Sequence, residues 1–213
     1  MRIRSLVAHG LACTLLLGAF SCRSGEDQEN NKPQKEKNKL IPKDPVLASG
    51  NHLLITEIVP HGEHAFKDAD DEASDWIELH NNSSEVISLG AFALTDDEQT
   101  PLKWQFPEHP LEPGAFVIVF ASGKDRTEAG SHLHSNFKLD SDGEYLALVR
   151  IENERAVHTF APVFPKIPKG KSYGYEFEDG RVNTDKLRLF DTPSPGKPNS
   201  DQPAEPEAPD SNA

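Results

Sequence analysis

The chain has 213 residues, of which 36 % are hydrophobic, and 35 Asp and Glu against 22 Lys and Arg give it a formal net charge of −13. That length suits one domain with extensions, and the low apolar share suits a chain that stays unfolded in part. The negative charge argues against nucleic acid and anionic lipid headgroups as direct partners, because both recruit positive surface.

The N-terminus reads as a targeting segment. Arg2 and Arg4 precede an apolar run from Leu11 to Phe20 that is too short to span a bilayer stably. The run ends in Ala19-Phe20-Ser21-Cys22, and a Cys after an apolar run and a small residue resembles a lipoprotein signal. Residues 1–21 are therefore expected to be cleaved and Cys22 to be lipidated. Cleavage would take the charge from −13 to −15 and would remove Cys13, leaving Cys22 as the only Cys. With no internal disulfide, the exported domain must hold together by its core. Residues 22–48, rich in Asn, Lys, Glu, Gln and Pro, read as a disordered spacer with a reach of roughly 25–30 Å. Arg23 is not the Asp that often retains lipoproteins at an inner membrane, so a cell-surface or outer-membrane anchor is favoured.

The folded part starts near His52. Short stretches of alternating or apolar residues predict strands at His52–Val59, Asp75–His80, Val86–Ser88, Ala91–Thr95, Lys103–Phe106, Ala115–Ala121, Phe137–Leu139, Glu144–Ile151, Ala156–Phe160 and Ser172–Phe177, with a short one at Leu187–Phe190. Turns fall at Glu112-Pro113-Gly114, at Asp140-Ser141-Asp142-Gly143, as a hairpin before Glu144, and at Glu152-Asn153-Glu154. No window carries a long helical period, so the pattern predicts an all-β sandwich. Trp76 and Ile77 are expected on opposite faces, with Leu79 beside Ile77. The other expected inward residues are Ile55, Phe92, Leu94, Trp104, Phe106, Phe116, Ile118, Phe137, Leu146 and Leu148, each worth roughly 1.5–3 kcal/mol when buried. With the aromatic residues committed to packing, a flat aromatic platform for sugars is not expected.

Five blocks carry a family resemblance. They are Leu54-Ile55-Thr56-Glu57-Ile58-Val59, Asp75-Trp76-Ile77-Glu78-Leu79-His80-Asn81-Asn82, the stretch from Leu89-Gly90 to Asp96-Asp97, the stretch from Leu111-Glu112-Pro113-Gly114 to Val119, and Asn136-Phe137-Lys138-Leu139-Asp140. In this order and spacing they resemble the lamin-tail domain, an immunoglobulin-like β-sandwich found in nuclear lamins and in bacterial exported proteins. The resemblance assigns structural motif positions to Glu57, Asp75, Trp76, Glu78, Asn81, Gly90, Asp96, Pro113 and Gly114. It implies a lamin-tail domain over 49–160 and a β-rich extension over 161–199. Within that extension, Phe164-Pro165-Lys166-Ile167-Pro168 and Ser172-Tyr173-Gly174 resemble the segment that follows such domains. Thr192-Pro193-Ser194-Pro195-Gly196-Lys197-Pro198-Asn199 resembles the Pro-Gly-Asn phrase that closes them. Residues 200–213, dominated by Pro, Glu, Asp and Ala, read as a disordered tail.

Several constellations could carry chemistry. Asp68, Asp70, Asp71, Glu72 and Asp75 form a carboxylate-dense loop that could supply oxygens to calcium, although the Gly and ligand order of an EF-hand are missing. The plainer reading is a solvated acidic loop. Asp96-Asp97-Glu98 reads as turn chemistry. His132 and His134 share a face if extended, and His61, Glu63 and His64 could add zinc ligands, but no Cys is available and no third His has diagnostic spacing. Glu57 and Glu78 could form a carboxylate pair of the glycosidase kind, against a plainer, solvent-facing structural role on their strands. Lys169-Gly170-Lys171 is not a phosphate loop. The sequence thus predicts a non-enzymatic, envelope-tethered interaction module without a required cofactor. Its expected partner is an envelope protein or extracellular polysaccharide, and it meets the membrane only through the lipid. The alternatives are a metal-dependent hydrolase or nuclease built on the Asp68–Asp75 loop, and a purely structural envelope component.

Overall fold

A computed structural model describes residues 46–61, 66–128 and 131–200. The expected signal segment, Cys22, most of the spacer and the tail from residue 201 lie outside them. The described chain forms thirteen strands in order: β1 Val46–Leu47, β2 Leu53–Val59, β3 Trp76–Asn81, β4 Ile87–Ser88, β5 Phe92–Thr95, β6 Trp104–Gln105, β7 Pro110–Leu111, β8 Phe116–Phe120, β9 Leu133–His134, β10 Leu146–Arg150, β11 Arg155–Phe160, β12 Ser172–Glu178 and β13 Arg181–Phe190. Five strands make one sheet in the order β1-β11-β10-β5-β6, and six make the other in the order β13-β12-β2-β3-β8-β9. A small ribbon pairs β4 with β7. Every pairing of named strands is antiparallel except β8 with β9.

The core lies between the two large sheets. Leu53, Ile55 and Ile58 of β2, Ile77 and Leu79 of β3 and Val119 of β8 meet Phe92 and Leu94 of β5, Trp104 of β6 and Leu146 and Leu148 of β10. This is the β-sandwich that the strand pattern predicted, with the immunoglobulin-like architecture that the family resemblance implied. His158 of β11 ties the sheets together. Its Nδ1 accepts the Ile55 N–H at 3.0 Å, and its Nε2 lies 3.2 Å from the Tyr175 hydroxyl. Complete burial pushes its pKa down to about 3, so the ring is neutral.

The second face of the six-stranded sheet is also covered. Trp76 of β3 packs with Val59, Phe120 and Phe66, and the Phe66 and Phe120 rings stack at 5.4 Å. His80 lies against Phe116 and Phe177. Two expectations for β8 fail here. Phe116 and Ile118 belong to this outer face, while Val117 and Val119 turn to the core. The register decides it: Val117 sits opposite Leu79 and Val119 opposite Ile77, and directly paired residues share a face. Phe116-Val117-Ile118-Val119-Phe120 is apolar in both phases, so periodicity alone could not choose.

Other boundaries moved for similarly local reasons. Phe137 and Leu139 are buried, as expected of inward residues, but Phe137–Leu139 is not a strand. Its backbone bonds to side chains instead, with Leu139 N–H donating to Asp75 Oδ2 and Phe137 O accepting from Ser135 Oγ. The turn at Asp140–Gly143 is present, closed by Gly143 N–H to Asp140 O at 2.9 Å, but no strand before it makes it a hairpin. Gly143 has φ +100°, and a Cβ there would lie 2.2 Å from the Phe164 carbonyl oxygen. Val46–Leu47, inside the expected spacer, pairs with Thr159 and His158, so the sheet claims the end of that segment. β13 is ten residues long rather than four. Asp179 and Gly180, both at positive φ, form the tight turn that joins it to β12. β12 pairs with β2, so residues 172–190 complete the six-stranded sheet rather than trail from it.

Candidate functional site

The carboxylate pair is the first group of chemical interest. A bulge between Ile55 and Glu57 sets both Thr56 and Glu57 against Glu78 across β2 and β3. Glu57 and Glu78 are therefore direct neighbours, and both are 0 % exposed, so the expected solvent-facing role is wrong. They lie on the outer face, but the segment Ser194–Asn199 covers them. Ser194 N–H donates to Glu57 Oε1 and Oε2 at 3.2 and 3.1 Å, and Gly196 N–H donates to Glu78 Oε2 at 2.7 Å. Thr56 Oγ1 donates to Glu78 Oε1 at 2.9 Å. Asn199 fastens the strap by donating to the carbonyls of Thr56 and Tyr175, both at 2.9 Å. Gly174 makes room for it, since a Cβ there would lie 2.5 Å from Asn199 Nδ2 and 2.3 Å from Thr56 O.

Among the described residues, no cation pairs with either carboxylate. Two adjacent buried carboxylates without a counter-ion cannot both stay charged. Burial pushes Glu57 up to about 7 against hydrogen bonds that include those from Ser194. Burial, and then the neighbouring Glu57, raise Glu78 well above the usual carboxylate range. The Ser194 hydroxyl also reaches the pair. Ser194 Oγ lies 2.9 Å from Asn199 Oδ1 and 3.2 Å from Glu57 Oε2.

The acidic loop is the second group. Asp68, Asp70 and Glu72 do come together, but around Lys124, whose Nζ lies 2.5, 2.7 and 2.9 Å from them. Arg126 adds a second cation at 2.6 Å from Asp70. The loop's other two carboxylates go elsewhere, Asp71 to Lys67 and Asp75 to the Leu139 N–H. Burial alone would raise Asp68, whose side chain is fully covered. Hydrogen bonds from Lys124 and from the Glu72 and Asp70 N–H groups outweigh it and hold the group down at about 2. A divalent cation here would first have to displace an ammonium already in place.

The histidines do not form a metal set among the described residues. His134 is buried, with Nδ1 at 2.9 Å from Ser122 Oγ and Nε2 at 3.9 Å from Asp68. Burial, then Lys124, lower its pKa. His132 packs on the Phe120 ring. Glu63 and His64 lie outside the described residues. The remaining motif positions are structural in their contacts. Asn81 Nδ2 donates to the carbonyls of Glu85, Leu111 and Glu112 and so clamps two loops. Pro113-Gly114 turns the chain into β8, with Gly114 at φ +75°. Gly90 lets the Glu108 carboxylate approach to bond Ser88, and Asp96 pairs with Lys103 at 2.6 Å.

A cleft of about 670 Å³ opens at one end of the sandwich. Phe92 and Arg150 line it from the five-stranded sheet, and Leu53, Asn81 and Arg181 from the six-stranded one. The loop Asn82–Glu85 forms its rim. The Arg150 guanidinium lies 4.7 Å above the Phe92 ring. Sequence reasoning missed Arg150 and Arg181, as it missed Lys124, because they meet their surroundings only through pairing of distant strands. Arg181 alone had a local signal, the Asp179-Gly180 turn before it.

Comparison with known proteins fits this geometry. The sequence model of the Lamin Tail Domain family matches residues 47–162, more than half of the chain. No curated protein matches the chain. The matched stretch runs from the second residue of β1 to just past β11, and the chain belongs to the lamin-tail-domain family.

Proposed function

We propose that this chain is a non-enzymatic interaction module, exported and tethered to a cell envelope through lipidated Cys22. A partner in the envelope or an extracellular polysaccharide meets the folded domain, and the segment between Cys22 and β1 sets its distance from the membrane. One observation carries the reading. The side chains best suited to catalysis are already engaged inside the fold: Glu57 and Glu78 lie beneath the strap, and Asp68, Asp70 and Glu72 close on Lys124. Lamin-tail domains are in general non-catalytic immunoglobulin-like modules. What the domain leaves open is loop and cleft surface, where such folds recognise partners. Among the described residues no helix is long and apolar enough to cross a membrane, and the Leu11–Phe20 run followed by Ser21-Cys22 supports attachment by lipid.

Palmitate labelling with protease shaving of intact cells tests the tether, comparing the native chain with Cys22→Ala. Label on the native chain alone is the expected result, and shaving of the domain would place it outside the cell. An unlabelled native chain recovered from the medium would overturn the tether.

A further inference from the structure

We propose that the cleft at the end of the sandwich binds an acidic saccharide unit, with Arg150 and Arg181 receiving its carboxylate. This deepens the interaction-module reading and does not depend on the lipid at Cys22.

The argument starts from charge. Acidic residues outnumber basic ones 35 to 22, so an arginine in this chain does not lack carboxylates to pair with. Basic side chains such as Lys103, Lys124, Arg126 and Arg188 do sit on them. Among the described residues, no carboxylate pairs with Arg150 or Arg181, and both line the same cleft. Even Glu85, on the same lining, bonds to neither. Two arginines that line one cleft from two different sheets form a local positive site on a negative molecule. The long-range repulsion from the remaining charge is screened beyond about 8 Å at physiological salt. It still selects against polyanions and for a ligand with one or two charges.

The guanidinium of Arg150 is also restrained. Its contact over the Phe92 ring restricts the side chain, and no carboxylate among the described residues occupies the N–H donors that could make a two-point bond to a ligand carboxylate. The rest of the lining suits a body rich in hydroxyl groups. Ser84 brings a hydroxyl and Asn82 an amide, while the Ser83 and Ser88 hydroxyl protons are already given to Asn81 and Glu108, so a sugar hydroxyl can find both a donor and an acceptor. The Phe92 ring is 3 % exposed and offers no platform for an apolar ligand. The cleft volume falls in the usual range for small-ligand sites, roughly 300–1,000 Å³.

The test titrates the full-length protein with digalacturonic acid by calorimetry and by amide-shift mapping. Its dimethyl ester, with the same hydroxyls and no charge, is the control. Saturable binding is expected, with shifts confined to the amides around Asn82–Ser84, Arg150 and Arg181, and the ester should bind at least about tenfold more weakly. Arg181→Gln should weaken binding about tenfold. Arg181 is exposed beside a hairpin turn, so this variant keeps its fold; Arg150→Gln should act in the same direction. No saturable binding, equal binding of the ester, or indifference to Arg181→Gln would each overturn the proposal. An acidic dipeptide that binds as tightly as the disaccharide would overturn the saccharide assignment. If the saccharide fails while Cys22 is labelled, the tethered module stands and only this ligand falls.

Discussion

Replacing Glu57 with Gln probes the buried carboxylate pair. Burial raises the folded pKa of Glu57 from 4.5 to about 7, so between those values the folded chain holds a proton that the unfolded chain has released. Stability from this group is complete below pH 4.5, falls as pH rises, and is exhausted above pH 7. At 1.36 kcal/mol per pH unit, the loss comes to roughly 3 kcal/mol. Glu78, raised in the same direction, adds to it. His158 works oppositely. Its pKa is depressed to about 3, so its contribution is lost as pH falls below its ordinary value near 6.5. The profile of the native chain is therefore a sum of opposing slopes, and the informative quantity is the difference between native chain and variant. Glu57→Gln keeps an acceptor oxygen for the Ser194 N–H and carries no charge at any pH. Relative to the native chain it should gain about 3 kcal/mol as pH rises from 4.5 through 7. Urea unfolding followed by tryptophan fluorescence reads this directly, since Trp76 and Trp104 are 0 % and 2 % exposed. A difference that stays constant with pH would refute the reasoning, because Glu57 would then be ionised in the fold at no cost.

Asn199→Ala should lower stability by about 2–3 kcal/mol, because it strips the donor from two buried carbonyls, those of Thr56 and Tyr175. The loosened strap should admit water to Glu57, so the variant's stability should also depend less on pH between 4.5 and 7 in the same urea assay. Lys124→Ala should cost about 2–4 kcal/mol, because it leaves the covered Asp68 carboxylate beside Asp70 and Glu72 without its cation. In the native chain the Lys124 ammonium already sits among the loop's three carboxylates, so calcium or a chelator should leave the thermal midpoint unchanged; a midpoint that rises with calcium would show that the ion displaces the ammonium.

The sandwich was legible where alternation was unambiguous. Asp75–His80 alternates polar and apolar residues, and the opposite facing of Trp76 and Ile77, with Leu79 beside Ile77, follows from that pattern. β8 was not legible in its phase, because five apolar residues in a row satisfy either face. The bulge at Thr56 hid the burial of Glu57. Without it, two Glu residues on neighbouring strands look like ordinary outward-facing charges, and only the register shift sets them side by side. The acidic loop was visible as a cluster, but its cation comes from 56 positions away and leaves no local mark. The closing Pro-Gly-Asn phrase stood out in the sequence, but its task of capping the two carboxylates depends on contacts 118 and 137 residues apart.

That last separation bears on how the molecule is made. Synthesis at about 5–20 residues per second puts roughly 7–27 s between the appearance of Glu57 and that of Ser194. Once β3 has followed β2, the two strands stay without their cover until Ser194 arrives, and their two carboxylates face water and remain ionised. A nascent chain that already contains the whole family-matching stretch is still open on this face. Protonation of the pair is thus a late event, coupled to delivery of the last strap residue, and a chain cut short before Asn199 carries its incompleteness as charge.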